Sequence, residues 1–434
     1  MTRTGSTIAL LVVATAPMLG AQSGSAIAAR VAAAPDGEVW MSYASRPDAC
    51  GDGRNVVAVG KLMNVGGSTE SYGAWSGIRC VHGPARVALT VLRHRVAGVR
   101  SYVGGAWPAS AQALDLGTVK AADAAAYFVS LAPDIAGSSY RNPLLAAALA
   151  DSANIAPDLL RLARDESAPG DTRRRALHFV GVVGDASDVA PLVELARAGA
   201  SDRSSAADAG PGDGLASAAV GALAMLDDEA GASALMELAR HGAEPVRKAA
   251  VFWLGQTDDP KARALVRAVI DDDEESDAVR GSAIFALGQG EYQTPADGAF
   301  LRAAFGRLSS ERLKDRILMA VAQSDDDASV SWLLDRARDD RQPIELRRKA
   351  VFWAGQGHAR ITDFTTLYGS VSDPRLREHI IFVISQRSED SATEALMKVA
   401  RADPDHAMRA KALFWLAQKH DPRVTKMIAD IVTR

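Results

Sequence analysis

Residues 248–259 read KAAVFWLGQTDD, residues 348–359 read RKAVFWAGQGHA, and residues 410–421 read AKALFWLAQKHD. Three near-copies of one dozen residues in a single chain imply a repeated physical unit. Aligned on the glutamine of FWLGQ, Gln256, Gln289, Gln323, Gln356, Gln386 and Gln418 fall in register at intervals of 33, 34, 33, 30 and 32 residues. Two degenerate copies precede them, with Val182 and Met225 at the anchor position. A fixed period of this size marks a stack of small units that cannot bury their apolar faces alone.

Each unit reads as a pair of helices. In the first helix Val246, Ala250 and Trp253 share a face at helical spacing, and the pattern stops near Gly255 or its equivalent. An acidic turn follows, such as Asp258-Asp259 or Asp325-Asp326-Asp327, and an aspartate there caps the next helix by accepting its free backbone N–H groups. Segments such as KARALVRAVI, ASALMELAR and TEALMKVAR form the second helices. The stretch 201–214, SDRSSAADAGPGDG, lengthens one interval to 43 and has the composition of a flexible surface loop.

The VR opening, the AA pair, the LG helix end, the acidic turn and the leucine-rich second helix resemble the HEAT repeat family, in particular the bacterial HEAT-like type also found in phycobilisome lyases. The resemblance runs over residues 142–434, with about eight or nine repeats. It implies an α-solenoid and no particular activity, because the family is defined by architecture. It also implies a structural ladder. Nine residues before each anchor stand Arg173, Ala216, Arg247, Arg280, Lys314, Arg347, Arg377 and Arg409, and each basic group is expected to meet a turn aspartate of a neighbouring unit. The repeating Phe252, Phe352, Phe382 and Phe414, with Trp253, Trp353 and Trp415, are expected in the core between units. The anchor glutamines are expected to bond backbone at the helix ends. The resemblance places the second helices on the concave side. Arg161, Arg164, Arg197, Arg240, Arg267, Arg338, Lys398 and Arg401 on those helices compensate helix dipoles or offer a row of cations to an acidic partner segment.

Ahead of the repeats the texture changes. Residues 36–117 carry strand-like runs, EVWMSYA, NVVAVGKLM and ARVALTVLRHRVAGVRSYVGG, punctuated by glycine-rich turns. They read as a small antiparallel β domain, joined by a helix or linker over 118–141. The only cysteines, Cys50 and Cys80, are expected to form a disulfide, which on the chain-entropy model contributes roughly 3–4 kcal/mol. Arg3, the apolar run Ile8–Leu19 and the small residues after it read as an export signal over 1–28, cut after Ala28 or Ala21. Twelve apolar residues interrupted by Pro17 are too few to span a bilayer, which takes about 20. The expected location is the periplasm or the extracellular space.

The net charge of −4, with 48% apolar and 24% charged residues, describes an ordinary folded chain and argues against nucleic acid as a partner. Chemistry is sparse. GAWSG around Ser76 displaces the serine from a nucleophile elbow, and His82 and His94 would have to converge on it. DDDEESD over 271–277 lacks the alternating ligands and central glycine of a calcium loop. Arg93, His94, Arg95 and Arg100 form a polar strand face or meet an anion. No phosphate-cradling loop occurs. The expected molecule is therefore mostly α, an α-solenoid of helical hairpins behind a small disulfide-stapled β-rich domain. Its expected function is non-catalytic protein–protein interaction or scaffolding in the cell envelope, with no cofactor and no metal. The alternative is an enzyme, or an accessory subunit of a lyase-like enzyme.

Overall fold

The computed structural model describes residues 20–60, 62–63, 80–108, 112–135, 142–199, 214–226, 229–289, 293–324, 326–419 and 421–432. The run Ile8–Leu19, Ser76 and nearly all of the expected loop 201–214 lie outside the described residues. The chain divides into two compact units, residues 1–195 with 225–228, and residues 196–224 with 229–434.

In the first unit a four-stranded sheet has the order β6-β5-β1-β7. Its strands are β1 (Gly37–Tyr43), β5 (Ala85–Leu92), β6 (Arg95–Val103) and β7 (Leu114–Thr118). β1, β5 and β6 pair antiparallel, and β7 adds to β1 in parallel. A smaller sheet holds β2 (Cys50–Gly51), β3 (Val56–Val59) and β4 (Leu62–Met63). The expected disulfide joins Cys50 to Cys80, with Cα atoms 5.3 Å apart.

Alternation along β1 turns Val39, Met41 and Tyr43 inward, where all three are fully buried. Tyr43 meets the ring of Phe128 on α2 (Ala121–Leu131) and donates its hydroxyl to the Ala146 carbonyl of α3 (Pro143–Ala148) at 2.6 Å. Helix α1 (Gly20–Ala32) packs on α2, burying Ile27 and Val31, while Arg30 donates to the Leu116 carbonyl at 3.0 Å. The long run 85–105 is not one strand. It folds back at Arg93 and His94, whose φ angles of 53° and 60° make a two-residue hairpin turn without the usual Asn-Gly. The Arg93 amide donates to Asp36 at 2.6 Å, and the His94 ring meets the Ala32 carbonyl, which holds the left-handed backbone in place. Arg86 is buried without a carboxylate: it donates to the carbonyls of Gly104 and Gly53, beside the rings of Tyr102 and Trp107. Helices α4 (Ala156–Arg164), α5 (Gly170–Val183) and most of α6 (Val189–Ala198) complete this unit.

The second unit is built from hairpins. Its first helices are α7 (Leu215–Met225, shared at its last residue with the other unit), α9 (Glu244–Gly255), α11 (Asp277–Leu287), α13 (Glu311–Ala322), α15 (Ile344–Gln356), α17 (Pro374–Ser385) and α19 (His406–Leu416). Its second helices are α8 (Glu229–His241), α10 (Pro260–Asp271), α12 (Pro295–Arg307), α14 (Asp327–Arg338), α16 (Ile361–Ser370), α18 (Asp390–Ala402) and α20 (Pro422–Val432). From α9 to α19 successive first helices pack on one another, and each also packs against the second helix that precedes it. The acidic turns act as caps: Asp259 accepts from the Lys261 amide and Asp326 from the Ser329 amide.

The core between units is aliphatic. In α11 it is Val279, Ala283, Ile284 and Leu287, and the same four positions are buried in α9, α13, α15 and α17. The aromatic residues lie elsewhere, which corrects the expectation that they fill this core. Phe352 and Phe414 are 36% and 57% exposed, and Phe252, Phe285 and Phe382 are half-buried. They stand four residues before the anchor, at the edge of the helix stack rather than inside it. The tryptophans, one residue further on, are half-buried against the preceding first helix, as Trp253 is against Gly221.

Stacking distance is set by a size match. A Cβ on Gly255 would lie 2.5 Å from the Ala286 side chain and one on Gly355 2.5 Å from Val383, and Gly288 meets Ala320 in the same way. Where this position is Ala224, Ala322 or Ser385 instead, the next first helix carries Trp253, Trp353 or Trp415. The glycine of the LG helix end thus allows close approach between helices, and a tryptophan stands where no glycine does.

Candidate functional site

The ladder exists, but its rungs are mostly backbone. Arg173, Arg280 and Arg347 donate through Nε to the carbonyls of Ala163, Ile270 and Ala337, each ten residues back at the end of the preceding second helix. Arg409 donates to the Asp403 and Pro404 carbonyls. Only two rungs reach an acid of the next turn. Arg247 forks onto Glu275 at 2.7 and 2.8 Å, and Arg377 meets Asp403 at 2.6 Å. Arg280 also meets Asp273 in its own turn, and Lys314 stands over the Phe305 ring at 5.5 Å. The expectation of a turn aspartate for every rung is thereby corrected. A helix C-terminus leaves carbonyls without intrahelical partners, and the start of the following first helix lies within arginine's reach of them.

The second-helix cations separate into two groups. Arg161 pairs with Asp158 and Arg338 with Asp335 one turn away, and Arg164 lies 3.6 Å from Glu194. Arg267 is drawn into a buried cluster. The Asp297 carboxylate, wholly shielded from solvent, accepts from Arg263 at 2.6 Å, from Arg267 at 2.6 Å and from the Thr294 hydroxyl at 2.5 Å. Burial works to raise its pKa, but the bonds from Thr294 and Arg267 prevail and hold it below the usual carboxylate value. Arg197, Arg240, Lys398 and Arg401 are exposed and have no ion-pair partner among the described residues. The row is therefore half occupied by the protein's own carboxylates.

The anchor glutamines are not bonded to backbone through their side chains among the described residues. Gln386 donates to the Ser385 hydroxyl at 3.1 Å, the buried Gln256 amide nitrogen has no partner, and Gln323, Gln356, Gln386 and Gln418 are exposed. One turn separates each from the residue at the phenylalanine position. From α9 to α19 the first helices of the second unit therefore carry, at one repeated position, Phe252, Phe285, Met319, Phe352, Phe382 and Phe414, a column edged by amides. Phe252 and Phe285 stack at 6.0 Å between adjacent helices, and Phe382 meets Trp415 at 5.4 Å. The exact repetition of FW…Q in the sequence was the signal for this column; it did not reveal which face it occupies.

One pocket of ≈510 Å³ opens among α16, α17 and α18. Its polar wall is a closed set. Tyr368 donates its hydroxyl to Asp403 at 2.6 Å, Arg377 donates to the same oxygen at 2.6 Å, and the guanidinium lies 4.4 Å from the Tyr368 ring centroid. Burial, and then the bond to Asp403, push the phenol well above its ordinary pKa, so it stays protonated and serves as neither base nor nucleophile at neutral pH.

The two histidines considered in the sequence do not come together. His82 bonds the Ala49 carbonyl just before β5 and His94 sits just after β5, so the strand separates them. In the acidic run, Asp271, Asp273 and Glu275 each face an arginine: Arg307, Arg280 and Arg247. Among the described residues no group of three or more potential metal ligands converges, and no helix is long and apolar enough to cross a membrane.

No curated protein matches this chain. Among solved structures, it is similar to human deoxyhypusine hydroxylase in complex with glycerol, at 16% identity over 63% of this chain and 88% of that one, with a TM-score of 0.21. It is also similar to lipovitellin, at 14% identity over 79% of this chain and 42% of that one, with a TM-score of 0.42. Residues 211–288 match the family model of HEAT repeats, and this match supports a HEAT-repeat family for the chain.

Proposed function

We propose that this is a non-catalytic interaction protein that acts outside the cytoplasm and holds a protein partner on the solenoid surface. HEAT repeats commonly serve protein–protein interaction, and one observation supports a contact on the first helices: their column of phenylalanines. Large aromatic side chains dominate interface energetics, and a row of them at repeat spacing, half-buried at Phe252, Phe285 and Phe382 and exposed at Phe352 and Phe414, suits an extended apolar segment of a partner. The amides of Gln323, Gln356, Gln386 and Gln418 beside them supply donors and acceptors for that segment's backbone. The exposed cations Arg197, Arg240, Lys398 and Arg401 form a secondary edge that favours an acidic partner.

The Cys50–Cys80 disulfide is compatible with an oxidising compartment, and the apolar run Ile8–Leu19 serves as the export signal. We place the cut after Ala21, because a cut after Ala28 removes Ile27 from the face that α1 buries on α2.

A photo-crosslinking residue at Gln356 or Gln418, exposed beside the column, tests the reading in the exporting cell. The expected outcome is one discrete protein adduct, lost when Phe285, Phe352 and Phe414 are changed together to serine with the melting temperature kept. Adducts that persist in the triple variant, or that form equally from Phe252→Ser background and from a second-helix control at Arg240, refute the column as the contact.

A further inference from the structure

The repeat has one shortened period, and the pocket lies at it. The interval from Gln356 to Gln386 is 30 residues, against 32 to 34 for the others in that run. The missing residues come out of a second helix: α16 has 10 residues, whereas α10, α12, α14 and α18 have 12 or 13. The ladder changes at the same place. By the pattern of Arg280 and Arg347, Arg377 would cap the Leu367 carbonyl ten residues back, but that carbonyl accepts from the Ser370 hydroxyl at 2.8 Å. Arg377 turns instead to Asp403 and the Tyr368 ring, and these three residues wall the space that the short helix leaves open.

Apart from Thr365 and Lys398 the rest of the lining is apolar, with Val371, Ile384, Ala395 and Val399 prominent, and a volume of ≈510 Å³ is in the range that holds small ligands. The Asp403 charge is neutralised by Arg377. Lys398, on α18, lines the same pocket, is exposed, and has no ion-pair partner among the described residues. An apolar chamber with one uncommitted cation at its mouth selects an apolar body ending in an anion.

The geometry points to a binding site among α16, α17 and α18 for a small ligand with an apolar chain and a terminal carboxylate. The chain lies against Val371, Ile384, Ala395 and Val399, and the carboxylate pairs with the Lys398 ammonium. The Tyr368–Asp403–Arg377 set is a charge-balanced wall, so it contributes shape more than charge. This site is separate from the phenylalanine column, and neither proposal depends on the other.

Calorimetric titration of the full exported chain with hexanoate, octanoate and decanoate, and with octanol, tests it. One saturable site is expected, tightening about fourfold per added methylene until the chamber is full. Lys398→Ala is expected to weaken octanoate by about three- to tenfold and leave octanol unchanged. Thr365→Trp, an exposed rim position that fills the mouth, is expected to remove binding of both with the melting temperature unchanged, and Ala395→Trp repeats the test from inside the chamber. The site is overturned by absence of saturable heat up to millimolar carboxylate, by octanol binding as tightly as octanoate, by Lys398→Ala binding like the parent, or by undiminished binding in Thr365→Trp.

Discussion

At the residue scale the arginines show how a short motif acquires its meaning. The basic position nine residues before each anchor is plain in the sequence, but the sequence does not say whether it meets a carboxylate, a carbonyl or a ligand. Arg173, Arg280 and Arg347 take helix-end carbonyls, whereas Arg247 and Arg377 take acids. Asp297 shows the converse: the run Thr294-Pro295-Ala296-Asp297 marks it as a capping residue and no more, yet it also gathers Arg263 and Arg267 in a site closed to water. Asp297→Asn removes the anion shared by the buried Arg263 and the half-buried Arg267, and we expect a loss of about 3 kcal/mol in urea unfolding. The folded-state pKa of Asp297 lies below the unfolded value of about 3.9, so its stabilisation is present above that pH and fades as the pH falls through the folded value. The parent should therefore lose stability below about pH 4 more steeply than the variant. Equal acid profiles would remove Asp297 from the account.

At the element scale the hairpins are specified by spacing and caps, and the stacking is specified by pairs of small and large residues. Helix starts such as those at Asp259 and Asp326 followed from local signals: the acidic turn, the cap, and the apolar period of 3.6. The hairpin in 85–103 was hidden, because Arg93 and His94 carry none of the usual turn chemistry and the left-handed turn is held by Asp36 and Ala32 from outside the run. The glycine match gives a direct test. Gly288→Val presses on Ala320 of the next first helix and should cost about 1–3 kcal/mol. Gly306→Ala in α12 meets nothing within 4 Å and should be neutral or stabilise by about 0.5–1 kcal/mol. Thermal or urea unfolding of the two variants separates a packing role from a merely local one, and similar losses in both would contradict the size match.

At the scale of the whole molecule, the proposals of export and of partner capture meet in the mature chain. With α1 packed on α2 through Ile27 and Val31, N-terminal sequencing of the exported protein should return a chain that starts at Gln22. A start at Ala29 would mean that α1 is dispensable to the first unit. The sequence by itself determined the repeat, its period, the helix-pair character of each unit, the β-rich start and the cysteine pair, because these follow from local spacing and composition. Tertiary structure alone decided which face each repeated side chain occupies. The phenylalanines, read as core, stand outward because aliphatic residues at the neighbouring positions already fill the space between helices. The cations on the second helices, alike in sequence, are divided into occupied and free by where carboxylates fall in space. The interval of 30 was visible as a number, but only three helices packed together turn a missing stretch of α16 into a chamber. Periodicity is a property of the chain, whereas exposure, pairing and cavities are properties of neighbours that the chain brings together from afar.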